Sequence, residues 1–148
     1  MRKQIVLLLL LTVPWLLGCG GETQAEEEVQ QVQQEEIVVA MNDMYFGETN
    51  DNSTNPPVWT VTSGVEIVVS LDNQGALEHN WAILKLGEQL DVPYDEATHK
   101  DLLLFEATKV QAKQSGQATF VAPEPGEYQV ICTVPGHSML MQGRLVVN

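Results

Sequence analysis

The chain has 148 residues and a formal charge of −13, with 20 acidic against 7 basic side chains and two cysteines, Cys19 and Cys132. That length suits one domain of ordinary size, whose core needs no disulfide staples. The acidity persists in residues 37–148, with 14 acidic and 5 basic side chains; it excludes nucleic acid, which demands a basic footprint, and suits plain solubility or a basic protein partner guided by charge.

Arg2 and Lys3 precede the apolar run "IVLLLLLTVPWLL" (5–17), which Pro14 interrupts. It is shorter than the roughly 20 apolar residues a bilayer span requires. With "LLGC" (16–19) the pattern resembles a bacterial lipoprotein signal. That resemblance implies a signal peptide at 1–18, a lipidated Cys19, and residence at the extracytoplasmic face of a bacterial membrane. The stretch "ETQAEEEVQQVQQEE" (22–36) has six Glu, five Gln and few apolar residues. Such a composition cannot bury enough surface to fold alone, so residues 19–36 read as a tether whose charged part, 22–36, reaches at most about 50 Å when fully extended.

Beyond the tether, short segments rich in β-branched residues alternate with turn signals. Strand composition is carried by residues 37–46, 58–64, 65–73, 79–84, 117–123, 126–132 and 143–148, and the polar "GETNDNSTNPP" (47–57) reads as a loop. This spacing predicts an all-β fold, an antiparallel sandwich or barrel. Residues 85–113 break the pattern and read as an insertion against one edge. "YDEATHKDLLLFEA" within it is expected to hold a short helix capped by Asp95 after Pro93. Met41, Met44, Trp59 and Trp81 are assigned to packing.

The chemistry gathers in "ICTVPGHSMLMQG" (131–143). Cys132, His137 and Met141 are separated by four and three residues, so one tight loop can fold all three around a point. Pro135 and Gly136 supply the turn. Thiolate, imidazole and thioether form a soft donor set that points to copper rather than zinc, calcium or magnesium. A trigonal copper site needs a second imidazole. His79, at the mouth of "HNWAIL", is the better candidate; His99, in the polar "EATHKD", reads as a solvated loop residue. Met139 reads either as a surface contact beside the loop or as filler.

"CTVPGHSMLMQG", with "HNW" some fifty residues earlier and "NDMYF" near the domain start, resembles the azurin-like blue copper proteins of the cupredoxin family, and among them the auracyanin branch, which includes membrane-tethered forms. The resemblance covers roughly residues 37–148 and implies a Greek-key cupredoxin domain. It implies His79, Cys132 and His137 as equatorial ligands of one type 1 copper, with Met141 as the long axial ligand. It further implies a weak main-chain carbonyl contact at Glu78, and an Asn80 that ties the ligand segments together near Thr133. Two departures stand out: the folded region has no second cysteine for the azurin disulfide, and Val134 occupies a position where an aromatic often follows Cys-Thr.

The expected function is single-electron transfer by Cu(I)/Cu(II) cycling, with redox partners such as a cytochrome or a membrane electron-transfer complex, and no enzymatic activity. The alternative is an extracytoplasmic copper-binding or delivery protein with an exchangeable site. A Cys132 nucleophile would leave Met141 and His79 without a role. A dinuclear copper loop requires a second cysteine, and a copper oxidase requires further histidines.

Overall fold

The computed structural model describes residues 33–148. The expected signal peptide, Cys19 and nearly all of the expected tether lie outside the described residues.

In chain order the strands are β1 (Gln34–Asn42), β2 (Tyr45–Phe46), β3 (Val58–Val61), β4 (Glu66–Asn73), β5 (Ala82–Leu84), β6 (Leu103–Glu106), β7 (Ser115–Val121), β8 (Gly126–Ile131) and β9 (Gln142–Val147). One helical turn, α1 (Glu96–His99), and a following 3-10 turn lie between β5 and β6. The strands form two sheets, in the orders β2-β1-β4-β7 and β3-β9-β8-β5-β6. Their inner faces enclose the core, a sandwich as expected from the alternating segments.

Alternation tells each strand which face to bury. In β4, Ile67, Val69, Leu71 and Asn73 point inward while Glu66, Val68, Ser70 and Asp72 do not. β1 does the same with Ile37, Val39 and Met41. Trp81 is fully buried at the centre, edge-on to Trp59 at 5.8 Å and packed with Phe105 and Phe120 at 6.3 and 5.9 Å. β9 passes this group at Gly143, where an added Cβ would run into the Trp59 ring.

The structure departs from the sequence expectations in four places. The sheets are mixed rather than wholly antiparallel: β1 runs parallel to β4, and β3 parallel to β9. The chain leaves the first sheet after β2, follows the edge of the second as β3, and returns as β4 beside β1. β1 begins at Gln34, so the polar Gln34, Glu35 and Glu36 belong to the sheet, opposite Glu66, Ile67 and Val68. The expected helix shrinks to four residues. Asp95 caps it as expected, accepting from Thr98 N at 3.2 Å, but "LLFE" becomes β6, an edge strand paired with β5. Tertiary pairing overrides the helix propensity of Leu and Glu there. Finally, Met41 is buried in the core, whereas Met44 is half-buried at the β1–β2 turn with a φ of 68°.

The insertion has a structural role of its own. Leu90 and Tyr94 cover Ala82, Leu84 and Ile131 on the outer face of the second sheet, so β5 is buried on both sides. Polar ties fasten it down: Leu90 N donates to Gln129 Oε1 at 2.7 Å, and Tyr94 N donates to Ser138 Oγ at 2.8 Å.

Candidate metal centre

β8 ends at Ile131 and β9 starts at Gln142, so the loop between them is held by two paired strands. Its ends are joined by Cys132 N donating to Met141 O at 3.2 Å. Its middle is wound tightly: His137 N donates to Val134 O, and both Leu140 N and Met141 N donate to His137 O. Gly136 turns the chain with a φ of 84°, in the left-handed region where glycine carries no Cβ penalty. The other segment, just before β5, is clamped to Val110: His79 N donates to Val110 O at 3.1 Å, and Val110 N to His79 O at 2.7 Å.

These two segments bring His79, Cys132 and His137 together, the one such group of potential metal donors among the described residues. The two histidine Nδ1 atoms lie 3.1 Å apart, and Cys132 Sγ lies 3.9 Å from that of His79 and 3.7 Å from that of His137. A point equidistant from the three atoms is about 2.1 Å from each, equal to a typical metal–imidazole bond and ~0.2 Å short of a metal–thiolate bond. Every polar contact of the His79 ring runs through Nδ1; its Nε2 is buried without a partner.

Burial keeps the three donors uncharged. Burial, and then the neighbouring His137, push the His79 pKa down to about 4; burial also lowers that of His137. Both rings are therefore held neutral, as lone-pair donors. Burial raises the Cys132 thiol, opposed by the backbone N–H groups of Asn80 and Val134 that hydrogen-bond toward it. A bound cation supplies the charge that turns such a thiol into a thiolate. Imidazole, imidazole and thiolate at these separations fit a single copper ion.

The remaining sequence candidates fall as follows. Met141 is fully buried in the same core cluster as Cys132, at the foot of the loop. Asn80 and Thr133 are joined as expected: Asn80 Nδ2 donates to Thr133 Oγ1 at 2.7 Å and Thr133 N donates to Asn80 Oδ1 at 2.8 Å. Glu78 is half-buried beside His79, its carboxylate accepting from Gln111 Nε2 at 2.9 Å. His99 stays apart, with Nδ1 accepting from Asp95 N at 3.0 Å. Met139 is half-buried on the loop.

Three supporting residues escaped the sequence reading. Asn73 donates to the carbonyls of Leu77, Val110 and Gln111 and accepts from Gly75 N, fixing both strands of the His79 clamp. Ser138 ties the ligand loop to the insertion. Glu106 accepts from Thr133 Oγ1 and Asn80 Nδ2 at 2.6 and 3.1 Å. Each depends on contacts between segments far apart in the chain, which no local motif announces.

Known proteins resemble this chain in sequence and in fold. Auracyanin-A of Chloroflexus aurantiacus is 34% identical over 102 residues, spanning 60% of this chain and 63% of that one. Auracyanin-B of the same organism is 31% identical over 98 residues, 55% of this chain and 42% of that one. The chain thus spans less than two thirds of the length of these curated relatives. The solved structure of auracyanin A, a blue copper protein, superposes with a TM-score of 0.59 at 28% identity, covering 78% of this chain and 99% of that one. Auracyanin B, at 24% identity and a TM-score of 0.61 over 77% and 88% of the two chains, shares the fold. A family model for the cupredoxin-like domain matches residues 7–147, and the chain belongs to that family.

Proposed function

We propose that this protein is a mononuclear type 1 copper electron carrier, held by a lipid on Cys19 at the extracytoplasmic face of a bacterial membrane. The observation that carries the reading is the buried triangle of His79 Nδ1, His137 Nδ1 and Cys132 Sγ. Copper bound there would supply a one-electron couple; His79, Cys132 and His137 would hold it, with Met141 as a weaker fourth donor.

The chain's own residues do the rest. The two clamped segments hold the donors in place, which keeps the rearrangement accompanying electron transfer small. Neutral imidazoles keep their lone pairs free for the ion, and the Cys132 thiol gives up its proton when the ion binds. His79 and Cys132 are fully buried, while His137 keeps 8% of its surface exposed, making its ring the route to the exterior. On its loop, Pro135 and Gly136 are exposed and Leu140 is half-exposed, an apolar rim suited to brief encounters with redox partners such as a cytochrome or a membrane electron-transfer complex. The acidic remainder of the surface steers partners of opposite charge.

Burial also weighs against enzymatic use of Cys132: a nucleophile needs access and a depressed pKa, and this thiol has neither. The test is the Cu(II)-loaded protein. An intense visible band with compressed hyperfine splitting in paramagnetic resonance supports the carrier reading, and a colourless protein overturns it. Rapid loss of copper to a mild chelator would instead identify a delivery protein.

A further inference from the structure

Glu106 lies on β6, far in sequence from either ligand segment, yet its carboxylate touches both of their supports. Asn80 and Thr133 are the covalent neighbours of His79 and Cys132. Glu106 Oε1 accepts a hydrogen bond from the Thr133 hydroxyl at 2.6 Å, which leaves the Thr133 oxygen free to accept from Asn80 Nδ2 at 2.7 Å. The same carboxylate oxygen accepts from Asn80 Nδ2 at 3.1 Å, so the amide is turned with Oδ1 toward Thr133 N, 2.8 Å away. One acceptor therefore fixes both a hydroxyl rotor and an amide orientation. Glu106 opens onto a cleft of about 280 Å³ shared with Tyr94, Lys109 and Pro135, so its charge is hydrated on the outer side.

We propose that Glu106 is a positioning residue of the metal centre: its carboxylate locks Asn80 and Thr133 across the two ligand segments and holds a fixed negative charge beside them. The charge favours the more positive oxidation state of the bound ion. This electrostatic half rests on the copper reading above, whereas the positioning half does not.

Two full-chain variants separate the roles. Glu106→Gln keeps an oxygen that can accept both hydrogen bonds but removes the charge; Glu106→Ala removes both. In the metal-free protein, hydrogen exchange at the Thr133 amide is expected to stay near wild type in Glu106→Gln and to accelerate at least tenfold in Glu106→Ala. In the copper-loaded protein, both variants should raise the reduction potential, by up to about tenfold in the Cu(II) to Cu(I) preference, or about 59 mV for one electron. The visible band should persist in Glu106→Gln and shift or weaken in Glu106→Ala. Unchanged Thr133 exchange in Glu106→Ala overturns the positioning role, and a wild-type potential in Glu106→Gln overturns the electrostatic one. If wild-type protein shows no copper band, the copper reading and the electrostatic role that depends on it fall together, while exchange at Thr133 still decides the positioning role.

Discussion

Replacing Asn80 by alanine tests the claim that one side chain stitches the two ligand segments together. Asn80 is fully buried and makes three hydrogen bonds of 3.1 Å or less, two with Thr133 and one with Glu106. The losses are unequal. Thr133 N is buried and loses its acceptor, which costs about 1–3 kcal/mol, whereas an ordinary hydrogen bond whose partner water can satisfy costs about 0.5–1.5 kcal/mol. Glu106 is at the surface and recovers a partner from water, and the Thr133 hydroxyl keeps its bond to Glu106. The expected destabilisation of the metal-free protein is therefore about 1.5–4.5 kcal/mol. Urea unfolding followed by tryptophan fluorescence measures it, with a lower midpoint and an unchanged slope. A loss below about 1 kcal/mol would mean that the segments are held by their own strand pairing, and the stitch would carry no weight.

Met141→Leu should leave the copper band largely intact and raise the reduction potential, because a weak donor to Cu(II) is removed; an unchanged potential, measured by redox titration, would show that Met141 is not axial. Stability of the metal-free protein should fall with pH. His79 titrates near 4 when folded, against an ordinary value of 6.5, and His137 is lowered too, so the unfolded chain binds more protons between those values. The contribution of His79 is thus constant above about pH 6.5, declines as pH falls toward 4, and levels off below. Urea midpoints from pH 7.5 to 4.5, compared with His79→Phe, check this; identical pH profiles would refute it.

Much of the centre was legible because its candidate donors are mostly local. Cys132, His137 and Met141 share one loop, so spacing alone brought them together, and His79 was marked out by the strand beginning at its shoulder. The supports were less accessible. Glu106 sits in "LLLFEA", whose composition favours a helix, and its place beside Thr133 exists only because β6 pairs with β5. Alternation in β1 and β4 told which side chains face inward, yet gave no partner or direction, so the parallel pairs went unread. Gln34, Glu35 and Glu36 resembled tether because the exposed positions and the frayed start of a strand are allowed to be polar.

The unequal origin of the donors bears on how the ion is acquired. Ten consecutive residues, 132–141, carry a thiol, an imidazole and a thioether, and these remain neighbours even in an unfolded chain. Ligand affinity for the denatured ensemble subtracts from the stabilisation a ligand confers on the native one. Melting experiments with and without copper will accordingly understate how tightly the native protein grips its ion. Only the contribution of His79 is gained wholly through folding, so that residue sets how strongly metallation and chain collapse reinforce each other.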